Sequence, residues 1–233
     1  MANDARQRQL AKFRRRNQDA THARRKPKLP SIPIWASRAL QGLAYWLGSQ
    51  HTLGLAANIS EGAIAWELIR LLFTHRDDRR VLEAEVLYRD IPELTLNNTL
   101  ANSQERADLV IVIRRRRDRD VPFRKGDVEA IIEIKHNRSR KRLVWRDIDF
   151  LGEQRGKSKN IRAFLIYASV NERPADFTEK TGRTIKPRTQ RSPSGKATYR
   201  VRRVCRATSR VPEENTRAHG HYAILLEVAP GAA

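Results

Sequence analysis

The chain is poor in cysteine, in aromatic side chains and in long apolar runs, and each shortage excludes something. A lone cysteine, Cys205, among 233 residues rules out an internal disulfide and a Cys-based zinc site. Aromatic residues make up 6% and hydrophobic residues 39%, so a core can form but part of the chain must lie outside it. No stretch approaches the roughly 18–20 uncharged apolar residues of a membrane span. Met1 to Lys28 is Arg-rich and has no apolar segment, which argues against a secretory signal peptide. No G-x-x-x-x-G-K-[ST] loop is present, so any ATP dependence would have to come from a partner protein. No internal repeat is visible. What the chain has instead is positive charge: 47 Lys and Arg against 26 Asp and Glu, a net +21. That balance points to an intracellular, cytoplasmic protein whose partner is a polyanion, with nucleic acid the expected one.

The charge is unevenly placed. Residues 1–30 carry ten Lys/Arg against two Asp/Glu, whereas residues 31–113 carry seven against ten. The excess returns in residues 114–170 and again in 171–220. The expected organisation is a basic flexible arm over residues 1–30, followed by a single domain over 31–233. Within that domain we expect a core at about 55–170, a basic loop insertion at about 171–200 and C-terminal strands at about 198–228. The insertion holds Pro174, Pro187 and Pro193 among polar and basic residues, which reads as a long loop, with room for a short hairpin, outside the packed core.

Periodicity supplies the elements. Trp35, Leu40, Leu43, Ala44 and Leu47 fall at helical spacing within Ile34 to Gln50. A second helix should run from Ser60, a good N-cap, to about Phe73, with Ile64, Ala65, Leu68 and Leu72 on one face. Arg80 to Tyr88 alternates, with Leu82, Ala84, Val86 and Tyr88 on one side and Glu83 and Glu85 on the other. Asp108–Ile113 and Val128–Lys135 are apolar runs of strand length, joined by a basic stretch containing Gly126. Trp145 to Gln154 reads as a helix and Ile161 to Ser169 as a buried strand, with two further strands at Thr198–Thr208 and His221–Val228. The order implies an α/β domain around a mixed central β-sheet flanked by helices.

Three residues on the central strands could carry chemistry. Side chains at i and i+2 of a strand share a face, so Glu133 and Lys135 project together. If the hairpin pairs Ile113 with Val128, constant antiparallel register puts Asp108 opposite Glu133, with Cβ atoms about 5 Å apart. Two carboxylates that close repel unless a cation lies between them. Mg²⁺ suits the position: it takes a few carboxylate oxygens, keeps water elsewhere and binds substrate phosphate. A water on such an ion is acidified and can attack phosphorus, and the Lys135 ammonium could hold that water or the scissile phosphate. Taken alone, Glu133 and Lys135 could equally be a solvent-facing pair on an edge strand.

Arg106-Ala107-Asp108-Leu109-Val110-Ile111-Val112, followed by Ile131-Ile132-Glu133-Ile134-Lys135, resembles the PD-(D/E)xK nuclease superfamily. The resemblance covers roughly residues 55–170 and implies a restriction-endonuclease-like αβββαβ core. It implies Mg²⁺ or Mn²⁺ bound by Asp108, Glu133 and the Ile134 carbonyl, and a catalytic Lys135. No Pro precedes Asp108, the Asp-to-Glu separation is long, and no Gln-x-x-x-Tyr extension follows around Gln154. Members often add an acid from the first helix. Glu61 is the choice here, with a favourable charge at a helix N-terminus as its plainer role; Glu67 and Glu85 are the other candidates.

Arg114 and Arg116, in the Arg114–Arg117 run, and Arg138, Arg140, Lys141 and Arg142 are expected to grip backbone phosphates, which positions substrate without reading sequence. Trp145 could stack on a base or fill the core of its helix. His136 points away from Lys135, and His219 and His221 lack neighbours for a zinc site. The reading is a Mg²⁺-dependent nuclease hydrolysing DNA, with RNA the weaker substrate and no membrane contact. Two-strand cleavage would call for a homodimer or a partner protein of a larger complex. The main rival is a catalytically weak or inactive protein of the same fold, acting as a nucleic-acid-binding module; an RNA-binding structural protein is a third.

Overall fold

The computed structural model describes residues 34–55, 59–75, 80–94, 104–113, 123–182, 189–209 and 219–231. The basic arm and the Arg114–Arg117 run, with Arg114 and Arg116, lie outside the described residues. Helix α1 spans Ile34–Thr52 and α2 spans Glu61–His75. Strands β1 (Arg80–Leu87), β2 (Arg106–Ile113) and β3 (Val128–His136) follow, then helix α3 (Lys141–Lys157) and strand β4 (Arg162–Ser169). The chain ends in β5 (Gln190–Arg191), β6 (Ala197–Ser209) and β7 (His219–Pro230). All seven strands form one mixed sheet in the order β1-β2-β3-β4-β7-β6-β5.

Only β3 and β4 run parallel; every other neighbouring pair is antiparallel. A parallel pair needs a crossover, and α3 supplies it. Its Val144, Ile148 and Leu151 join Val110, Ile131, Leu165 and Leu226 in the core on one face of the sheet. On the other face Leu40 of α1 and Leu68 and Leu72 of α2 meet Ile132, Phe164 and Leu225. The two apolar stripes come from helical spacing on one side and strand alternation on the other.

Several sequence expectations change in detail. Val128 pairs with Val112, not Ile113, because β3 carries a bulge at Glu129; from Ile111 and Ala130 onward the register is the one assumed. Strand β1 does not alternate to its end: Glu85 has φ 54, Ala84 is exposed, and Tyr88 leaves the strand in a single 3₁₀ turn, Tyr88–Asp90. Helix α3 begins at Lys141, four residues before the apolar pattern starts, so Lys141 and Arg142 belong to its first turn.

The 171–200 stretch is not wholly outside the core. Phe177 is buried, with its ring 5.2 Å from that of Tyr167, 5.8 Å from Trp145 and 6.0 Å from Tyr199. Trp145 is therefore core on its inner side, also lying 5.7 Å from Tyr199. Gln190 and Arg191 pair with Tyr199 and Thr198 as a short hairpin within the same stretch.

Candidate active site

The β2–β3 ladder is paired as far as Leu109 and Ile132. One position further, continuation of the register sets Asp108 opposite Glu133, and a side chain replaces the backbone acceptor: Ile134 N–H donates to Asp108 Oδ2 at 2.6 Å. Glu133 is buried, and Tyr88 Oη donates to its Oε1 at 2.6 Å. Each carboxylate thus has one oxygen engaged in these bonds.

Burial raises the proton affinity of both. The Asp108 carboxyl is pushed up by burial, against the Ile134 N–H and Lys135, which favour its anion; Glu85 adds to the rise. Glu133 is pushed up to about 8, by burial first and by the charge of Asp108 second, with the Tyr88 hydrogen bond working the other way. Tyr88, buried beside these acids, is held well above the usual phenol range by that burial and by Glu133.

Lys135 projects from the same strand face as Glu133. Its Nζ lies 3.1 Å from Asp147 Oδ2 and 3.4 Å from Glu61 Oε2. Burial opposes its charged form, but Asp147, Glu61 and Asp108 outweigh that and hold the ammonium above its ordinary range. Glu61 sits at the start of α2, where Ser60 caps the helix by accepting from Ala63 N–H at 3.1 Å. Its carboxylate also takes the Ser139 hydroxyl and, at 3.4 Å, the His136 N–H. Helix α2 and the turn after β3 are thus tied together beside Lys135.

Of the other proposed acids, Glu67 forms a two-point ion pair with Arg70, at 2.6 and 2.8 Å. Glu85 is exposed, but the β1–β2 register sets it across from Asp108, and its charge adds to the rise of that carboxyl. Among the basic candidates, Lys141 pairs with Asp176 at 2.9 Å, and Arg138, Arg140 and Arg142 are exposed. His136 is buried, its imidazole pushed down by burial first and by Arg138 second. His219 and His221 meet His51 of α1, with ring centroids 4.7 and 4.9 Å away, and Ser209 Oγ bridges His51 Nδ1 and His221 Nε2 at 3.0 and 2.7 Å.

Two site residues were not picked from the sequence. Asp147 is an acid on the inward stripe of α3, between Val144 and Ile148, and that interruption of an apolar face was its signal. Tyr88 gave none, since its contact with Glu133 spans 45 residues.

Asp108 and Glu133 fit a hard divalent cation as a pair: both are carboxylates, Glu133 is buried and Asp108 half-buried, and the charge of Asp108 adds to the rise of Glu133. Among the described residues no group of three or more His, Cys, Asp or Glu is arranged to hold a metal, so water would fill the remaining positions. No protein-family model, curated protein or solved structure matches this chain.

Proposed function

We propose that this protein is a metal-dependent nuclease of the PD-(D/E)xK type that hydrolyses DNA phosphodiester bonds. The observation that carries the reading is Asp108 facing Glu133 at the point where β2 and β3 part, with Lys135 two residues on. The order of elements supports it: α2, the antiparallel β1-β2-β3, the crossover helix α3 and the parallel β4 follow the helix–three strands–helix–strand plan of that superfamily.

Asp108 and Glu133, with the Ile134 carbonyl, would hold Mg²⁺ or Mn²⁺. That ion, when bound, supplies an acidified water and offsets charge developing on the phosphate. The protein's own groups do the rest. Tyr88 orients the Glu133 carboxylate and supports its anionic form. Asp147 and Glu61 keep Lys135 charged and restrict its flexible stem, so that a fixed ammonium meets the scissile phosphate. Arg138, Arg140 and Arg142, beside the end of β3, extend the positive surface along which a DNA strand would lie.

A second reading has its own support. Lys135 is already ion-paired on two sides and Glu133 is already hydrogen-bonded, an arrangement stable enough for a nuclease fold that clamps nucleic acid inside a larger complex without cutting it. One assay separates the two. With Mg²⁺ or Mn²⁺ the wild type should cleave DNA, while Lys135→Ala should still bind but lose cleavage by about a hundredfold or more. If wild type and variant both bind and neither cuts with any divalent ion, the clamp stands and the nuclease does not.

A further inference from the structure

At the other end of the strands the fold gathers arginines around Glu227. Arg162, the first residue of β4, pairs with Ala130, whereas Tyr167 pairs with Lys135; five residues of β4, roughly 17 Å, separate the two ends. Arg162 Nε donates to Glu227 Oε1 at 3.0 Å, and Arg202 Nη1 lies 3.2 Å from Glu227 Oε2. Arg200 is the cross-strand partner of Glu227, and Arg155, at the end of α3, is near enough to feel its charge. Two guanidinium groups thus contact the Glu227 carboxylate, with Arg200 and Arg155 close by.

Two details make this more than a surface ion pair. The Arg202 side chain is only 9% exposed and that of Arg162 only 17%. Arg162 Nη2 is buried and has no hydrogen-bond partner among the described residues, although the guanidinium lies 4.8 Å over the Phe164 ring. A buried donor on a charged group requires an acceptor. A water could accept the bond but would leave the crowding of like charges in place. Burial pushes Arg202 below its ordinary range, with Glu227 opposing and Arg162 and Arg200 adding to the fall.

We propose that Arg162, Arg202 and Arg200 form a phosphate-binding site at this end of the sheet, separate from the Asp108–Glu133 pair. Guanidinium forks match phosphate oxygens in two-point hydrogen bonds, and a dianion offsets the like charges of Arg162, Arg200 and Arg202 that crowd together here. The phosphate belongs either to a nucleic-acid backbone or to a small phosphorylated molecule.

The test uses the full chain carrying Lys135→Ala, so that hydrolysis plays no part, and calorimetric titration with inorganic phosphate and with a short DNA oligonucleotide. Arg162→Gln should weaken phosphate binding about tenfold or more, while Lys159→Gln, an exposed control, should leave it unchanged. If Arg162→Gln fails to fold, Arg200→Gln, outside the ion pairs with Glu227, decides instead. A parallel loss for the oligonucleotide identifies the backbone as the source; a loss confined to inorganic phosphate identifies a small molecule. Phosphate that does not bind, or that binds the arginine variants as it binds the parent, overturns the proposal and leaves a buried ion-pair network. Either result is independent of whether the protein cuts DNA.

Discussion

Lys135 lies between two acids from different parts of the chain, Glu61 at the start of α2 and Asp147 on the inner stripe of α3. Glu133 has a comparable support in Tyr88, whose hydroxyl favours its anion against the effect of burial. Tyr88→Phe removes that donor from a buried carboxylate. The expected result is Mn²⁺ affinity reduced about tenfold and stability lowered by about 1–2 kcal/mol. Calorimetric titration with Mn²⁺ and thermal melts check both; wild-type Mn²⁺ affinity in the variant would show that Tyr88 does not act through Glu133. The triad itself could be read residue by residue, because strand alternation fixes which side chains share a face. Tyr88 and Asp147 could not, because their contacts with Glu133 and Lys135 depend on where a 3₁₀ turn and a crossover helix come to rest.

Between elements, the tightest approach is α3 on β6 and β7. A Cβ placed on Gly152 would lie 2.6 Å from Ala197 Cβ and 3.2 Å from the Ala229 carbonyl oxygen. Neither neighbour is a flexible side-chain end, so the strands or the helix must move. Gly152→Ala should therefore destabilise the fold by about 1–3 kcal/mol, despite alanine's better helix propensity, as a fall in melting temperature. An unchanged or higher melting temperature would mean that α3 packs less closely than described. Boundaries set by capping or apolar spacing were legible, as at Ser60 and at β4. The bulge at Glu129 was not, because β3 is apolar on both faces and so has no alternation for an extra residue to break. Nor was the burial of Phe177, an aromatic anchor within a Pro-rich polar stretch.

For the molecule as a whole, stability should depend on pH through buried histidine. His221 is fully buried and its imidazole is pushed down to about 4, by burial first and then by His51 and His219. A depressed folded-state value means that the unfolded chain binds the proton more readily. The stability it contributes is present above about 6.5 and is lost as pH falls from there through about 4, at most about 3 kcal/mol. Glu133 acts with the opposite sign: its contribution is present below its ordinary value of 4.5 and is lost as pH rises through about 8. Denaturant titrations of wild type and His221→Gln across pH 4–7 isolate the histidine, because Glu133 is common to both. The wild type should lose stability more steeply on acidification; parallel curves would rule this out.

By itself the sequence determined the class of fold, the run of helices and strands through β4, the pairing of Asp108 with Glu133, and the sign and size of the net charge. These follow from local rules of spacing and alternation, or from counting. Only the tertiary structure decided which side chains support that pair, which residues of the 171–200 stretch join the core, and where Arg162 and Arg202 meet Glu227. Those contacts join residues far apart in the chain, and their geometry is set by the packing of whole elements, which no local pattern records.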